Sequence, residues 1–149
     1  MAITRSTMVD DDGSGTTGTI LNNAWLQDIY GRIDGIPAQA WTPIDVSGAG
    51  LSFVVTSAWY VQIGQTVTIN VNMQMPVNSN GATAQIGGLP FPGAGANGLY
   101  SVYGVQNIYH IQAATTVILP LNATTGAGLS NANLSGQSLV LAGTYIRPA

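Results

Sequence analysis

The clearest pattern in the chain is a strict alternation of apolar and polar residues over positions 66–75. Every second position is apolar and the positions between are uncharged polar residues; the apolar set is Val67, Ile69, Val71, Met73 and Met75. Successive side chains of a β-strand point to opposite faces, so the spacing predicts a strand with one face in the core. Pro76 lacks a backbone N–H and ends the predicted strand.

The segment before this strand predicts a hairpin turn at Gly64 and Gln65. A two-residue loop places Val67 opposite Gln62, whereas a three-residue loop pairs Val67 with Ile63. Only the three-residue loop keeps the apolar side chains of both strands on one face, so we prefer that register.

Further short strands account for most of the remaining chain. Apolar and β-branched runs predict one or two strands over residues 51–55 and 59–63, and others near residues 82–86, 99–112, 115–121 and 137–147. Segments rich in Gly, Pro and Asn separate these runs, a layout typical of β-sandwiches and jelly rolls. The predicted fold is therefore mainly β, a jelly-roll-like antiparallel β-sandwich over residues 38–149.

In the segment before this domain, the apolar residues recur with the period of a helix instead of that of a strand. Four apolar residues recur at every fourth position and predict an amphipathic helix over residues 19–35: Leu21, Trp25, Ile29 and Ile33. Gly35 is a plausible end of the helix because glycine is favoured just after the last turn. A helix this short is marginal alone in water, so its apolar stripe needs a partner surface. Residues 1–37 are predicted to form an extended arm and one short α-helix.

Formal charge is scarce along the whole chain. The 149 residues are 6% charged, whereas a soluble domain is about 25% charged. Three arginines and no lysine cannot neutralise a nucleic-acid backbone, which excludes that partner.

No apolar run approaches the roughly 18 residues that span a bilayer, and no secretory signal is present, so no membrane partner is expected. Cysteine is absent, so no thiolate site is expected.

Few residues are suited to catalysis or metal binding. Residues 13–18 and 93–98 match G-x-G-x-x-G, but neither lies in a βαβ unit after a buried strand, as a nucleotide site requires. The acidic run at residues 10–12 is similar to the opening of a calcium loop, yet Leu21 replaces the usual final glutamate. His110 is the only histidine, and no nucleophile motif accompanies it. We expect no catalytic residue, no cofactor and no enzyme activity, and calcium binding by the acidic run stays open.

Two parts of the chain resemble virion proteins of tailed bacteriophages. The leader and helix, from MAITR at residues 1–5 through DDDGSGTTGTILNNAW at residues 10–25, resemble the N-termini of small virion structural proteins. The runs WYVQIGQTVTI, IGGLPFP and GTYI, which begin at Trp59, Ile86 and Gly143, resemble β-sandwich domains of phage fibres and decoration proteins. The resemblance implies a homotrimer of jelly-roll-like domains around a threefold axis, with the N-terminal segment attached to the virion.

The function implied is that of a capsid decoration or cement protein. Such a protein is made in the host bacterial cytoplasm and lies on the outer capsid surface, with its own copies and the major capsid protein as partners. Attachment is expected through apolar residues of the arm and helix: Ile3, Met8, Leu21, Trp25 and Ile29. The alternative is a short tail-fibre or receptor-binding protein whose loops at residues 93–98 and 126–136 bind host glycans. The chain has little length for a shaft after the helix, which favours decoration.

Overall fold

Antiparallel β-strands make up almost all of the regular structure in the part of the chain that is described. The computed structural model describes residues 36–95, 97–101 and 107–149, and Pro37–Ala149 form one unit by their contacts. Nine strands lie in this part of the chain: β1 (Gln39–Ala40), β2 (Ile44–Asp45), β3 (Val54–Ile63), β4 (Thr66–Gln74), β5 (Ile86–Gly87), β6 (Asn97–Ser101), β7 (Asn107–Ile111), β8 (Ile118–Asn122) and β9 (Ser138–Ile146). Among the described residues, the helical structure consists of one 3-10 turn, Ala132–Leu134.

The hydrogen-bond order of the strands shows how the domain closes. Neighbours are antiparallel in the order β1-β3-β4-β9-β6-β7-β8-β5-β2. The end strands β1 and β2 are separated in sequence only by Trp41, Thr42 and Pro43. A chain advances at most about 3.6 Å per residue, so the two edges lie within about 14 Å of each other. The strands therefore fold into two antiparallel layers, one with β3, β4 and β9 and the other with β7, β8 and β5.

The core lies between these layers. The alternation in β4 is confirmed, since its apolar residues and the following methionine are at most 2% exposed: Val67, Ile69, Val71, Met73 and Met75. The same cluster includes residues of β9 and of the opposite layer: Leu139, Leu141, Tyr145, Ile86, Tyr109, Ile111 and Ile118. Each fully buried aliphatic or aromatic side chain contributes about 1.5–3 kcal/mol. Contacts across one shared core hold the two layers face to face.

Most predicted strands are present, with differences in their extent. The runs at residues 51–55 and 59–63, predicted as one or two strands, form one strand, β3, which begins at Val54 and has a bulge between Val55 and Ser57. Of the strand predicted at residues 82–86, only Ile86 lies in a strand, β5. The predicted strand at residues 99–112 is two antiparallel strands, β6 and β7. The helix predicted over residues 19–35 and the arm before it lie outside the described residues.

The predicted register of β3 on β4 is wrong by one residue. The turn contains only Gly64 and Gln65, so Ile63 pairs with Thr66 instead of Val67. Gly64 has a φ of +60°, and glycine at the first central position permits a two-residue turn that matches the twist of the strands. A one-residue slip exchanges the two faces of a strand, so Ile63 points away from the core.

Trp41 connects the two ends of the strand order to the core. Its backbone N–H donates to Ala58 O at 3.3 Å, and its indole Nε1 donates to Asn70 O at 3.4 Å. The adjacent Thr42 carbonyl approaches Gly88 so closely that a Cβ there would lie 2.1 Å from the oxygen. Gly88 also has a φ of +89°, a region that glycine adopts without steric cost. Both the space and the backbone conformation therefore require glycine.

We expect Gly88→Ala to destabilise the domain because its Cβ would strike a backbone oxygen of the β1–β2 link. Gly50→Ala is the matched control, because Gly50 has a φ of +67° but nothing within 4 Å of the added Cβ. The control should lose about 1–2 kcal/mol through its left-handed backbone alone, and Gly88→Ala at least about 2 kcal/mol more. Urea denaturation measures both free energies of unfolding, and equal losses would contradict the role of this contact.

Candidate assembly surface

The residues predicted from the sequence to attach the protein to a virion lie outside the described residues. They are Ile3, Met8, Leu21, Trp25 and Ile29. The acidic run at residues 10–12 and the first glycine motif at residues 13–18 lie in the same region. The β domain carries a different exposed surface, which the sequence did not predict as a site.

Strand β3 presents a row of apolar side chains on the outside of its layer. Trp59, Val61 and Ile63 occupy every second position, on the face opposite to Tyr60, which packs against the core. Trp59 is 38% exposed and Ile63 is 63% exposed. The solvent face of an antiparallel layer usually carries polar residues. The usual alternation is therefore reversed on β3.

Strands β4 and β9 extend this row across the layer. Thr66 lies between Ile63 and Ile146 in one cross-strand row, and Ile146 is 43% exposed. In the next row Thr68 pairs with Thr144, and their hydroxyl oxygens are 3.1 Å apart. Directly opposite residues have Cβ atoms about 4.5–5.5 Å apart, so the side chains form a continuous surface. We call it the outer patch: Trp59, Val61, Ile63, Thr66, Thr68, Thr144 and Ile146.

Asp45 is one of only two formally charged residues between positions 36 and 149. Its carboxylate accepts a hydrogen bond from Ser47 Oγ at 2.6 Å and another from the Leu51 backbone N–H at 2.9 Å. Partial burial acts to raise the pKa of Asp45, but the hydrogen bonds outweigh burial and hold this pKa below its ordinary value. Both carboxylate oxygens are engaged within the turn, so Asp45 has a structural role.

Arg147 is the other charged residue, and it lies against aromatic side chains after the end of β9. Its guanidinium carbon is 4.9 Å from the centroid of the Phe91 ring, within cation–π distance. Tyr60 meets the same ring edge to face, with centroids 5.8 Å apart. The Tyr145 hydroxyl donates to Phe91 O at 2.9 Å. These contacts tie the end of β9 to the loop that follows β5.

The described residues contain no cluster of metal-ligating side chains. Within residues 36–95, 97–101 and 107–149, no group of three or more His, Cys, Asp or Glu side chains is placed to hold a metal ion. His110 pairs with Gly98 and Leu119, so neither cross-strand neighbour supplies an acid or a nucleophile. In the same part of the chain, no helix has the length and apolar character needed to cross a membrane.

The two loops predicted to bind glycans lie at opposite ends of β9. Ala94, in the first loop, donates its backbone N–H to Ile146 O at 2.7 Å, at the C-terminal end of this strand. The second loop ends at Gly136, just before β9 begins at Ser138. The strand has 9 residues, and the eight steps between them span about 27 Å at about 3.4 Å each. The two loops therefore do not form one tip.

Comparisons with protein-family models, curated proteins and solved structures gave no match to this chain. The resemblance to phage virion proteins seen in the sequence therefore stays a prediction. The outer patch is the feature of the described domain that bears most directly on function.

The buried tyrosines predict how stability responds to alkaline pH. Burial raises the pKa of Tyr145 to about 12. An unfolded tyrosine ionises near pH 10. Between about pH 10 and 12 the unfolded chain therefore binds fewer protons than the folded chain, and stability falls with rising pH. We expect Tyr145→Phe to lose about 1 kcal/mol near neutral pH but to show a shallower fall at alkaline pH.

Tyr109→Phe is the matched control for this experiment. The Tyr109 side chain is fully buried and its hydroxyl makes no hydrogen bond. Burial raises the pKa of Tyr109, an effect that the nearby Asn107 side chain opposes. Removing this hydroxyl leaves no partner unpaired, so stability near neutral pH should be unchanged or higher. Urea denaturation from about pH 7 to 11 measures these effects, and a wild-type stability that stays constant above pH 10 would contradict them.

Proposed function

We propose that this protein is a structural component of a tailed-bacteriophage virion. In this proposal it is a homotrimer that decorates the outer capsid surface and stabilises the head by bridging capsid subunits. Its β domains are jelly-roll-like and pack around a threefold axis. The arm and helix of residues 1–37 attach each copy to the major capsid protein, through Ile3, Met8, Leu21, Trp25 and Ile29.

The outer patch on a nearly uncharged β domain is the observation that carries the proposal. The two charged residues of this domain, Asp45 and Arg147, are engaged in local contacts. By contrast, the apolar side chains of Ile63 and Ile146 are exposed. Contiguous exposed apolar surface is typical of interaction sites. A neutral surface also packs against identical copies without like-charge repulsion, at any salt concentration. These properties favour a component of an assembly over an isolated catalyst.

In this proposal, attachment by several arms at once allows the trimer to hold capsid subunits together. Three arms on one trimer bind as linked modules, so the second and third arms act at an effective concentration in the millimolar range. Avidity then exceeds the affinity of one arm by about 10²–10⁴-fold without any new contact. A trimer held on several capsid subunits at once resists their separation under the pressure of packaged DNA.

Location and copy number on the particle test the proposal. Gold-labelled antibody against the protein should decorate the heads of purified virions, and quantitative mass spectrometry should give copies comparable in number to the capsid protein. Labelling confined to the tail, with only a few copies per particle, would favour the receptor-binding alternative. Absence from purified particles would overturn both.

Attachment through the helix predicts that Trp25→Ala weakens binding to capsids. Truncation of a central aromatic anchor costs about 2 kcal/mol or more, which is roughly 30-fold in affinity. The full-length variant would be added to particles that lack the protein, and bound protein would be measured by co-sedimentation. Val77→Ala is the control, because Val77 is an exposed loop residue, 89% accessible, outside the arm and the outer patch. Equal binding by the two variants would overturn the attachment role of Trp25.

A further inference from the structure

We infer that the outer patch is the surface through which copies of this chain contact one another, with the rows around Ile63 and Ile146 nearest the symmetry axis. This inference rests on the homo-oligomer of the proposed function and assigns its interface to one face of the domain. The partner is a second copy of the same chain.

Strand β3 lacks the charged residues that usually keep an exposed strand from associating with other molecules. The edge-side partner of β3 is β1, which pairs Gln39 with Tyr60 and Ala40 with Trp59. One further bond on this edge joins the Trp41 N–H to Ala58 O. The next hydrogen-bonded pair before Gln39 would involve Pro37, but proline has no N–H with which to continue the pairing. Soluble proteins usually place charged residues on such edges to prevent association, yet β3 contains none. Of the devices that keep a solitary sheet apart from its neighbours, β3 therefore lacks charged residues.

The chemistry of the patch favours a second copy as its partner. A charged partner would bury its charges against side chains that cannot neutralise them, which is costly. Another copy of this domain presents an equally neutral surface, with Asp45 and Arg147 as its only formal charges. Thr66, Thr68 and Thr144 each both donate and accept hydrogen bonds, so a row of threonines can pair with an identical row. The patch is therefore complementary to itself in charge and in hydrogen bonding.

The symmetry of closed oligomers strengthens this assignment. Residues close to a rotation axis meet their own equivalents in the neighbouring copies. Apolar and hydroxyl side chains tolerate such self-contacts, whereas ionised side chains repel each other there. The apolar row from Ile63 to Ile146 across Thr66 has the composition that such a position requires.

Ile63→Arg in the full chain tests the inference directly. Ile63 is 63% exposed, so the substitution leaves the core intact but brings like charges together in the oligomer. We expect sedimentation velocity to show self-association weakened by about 10-fold or more. Val77→Arg places the same charge on a loop residue that is 89% exposed, and it should behave as wild type. Unchanged self-association of Ile63→Arg would overturn the inference.

Disulfide trapping gives a second readout that does not depend on a disruptive substitution. The chain contains no cysteine, so Ile63→Cys introduces a single thiol. Under mild oxidation this variant should form covalent dimers much faster than Val77→Cys at equal concentration. Equal rates for the two variants would also overturn the inference.

The outcomes separate this inference from the proposed function. If Ile63→Arg remains an oligomer and still decorates capsids, the interface assignment fails while the virion function stands. If the protein is absent from virions but Ile63→Arg dissociates it, the interface assignment stands while the virion function fails. A wild-type protein that stays monomeric at all concentrations and on the capsid would overturn the interface together with the trimer.

Discussion

The link formed by Trp41, Thr42 and Pro43 is the constraint on which the rest of the fold depends. It joins the two strands at opposite ends of the hydrogen-bond order, so the layers must curve until their edges nearly meet. Trp41 fixes this closure, because its indole ring fills the core and its two N–H groups donate to β3 and β4. Gly88 accommodates the adjacent Thr42 carbonyl from the other layer. The closure therefore depends on a few close backbone contacts as well as on apolar burial.

Strand β4 and strand β3 show how far the sequence determines such a fold. The strict alternation of β4, ended by Pro76, leaves one choice of buried face, and that choice was correct. In β3, Trp59 and Ile63 alternate with Tyr60 and Gln62, and hydropathy alone assigns the first pair to the core. The backbone reverses this assignment, because Gly64 adopts a positive φ and closes a two-residue turn. Turn geometry outweighs side-chain hydropathy where the turn is this tight.

The outer patch was not predictable for the same reason. Exposure of its apolar side chains follows from the register, and the register follows from one glycine conformation. The inward position of Tyr60 depends further on its edge-to-face contact with Phe91, a residue distant in sequence. Long-range contacts of this kind leave no local periodic signal. The positions of Ile3, Met8, Leu21, Trp25 and Ile29 stay predictions from sequence alone.

The reversed face of β3 and the scarcity of charge have a common explanation if the face is covered. A strand that β1 covers only in part, with outward Trp59 and Ile63, would be a site of unwanted pairing in a solitary domain. Charged residues would ordinarily prevent that pairing, and residues 46–146 contain none. Both features are unfavourable for a domain surrounded by water, and both become favourable once identical surfaces meet. Contact with a neutral copy buries the apolar row, and the absent charges remove the repulsion that would oppose it.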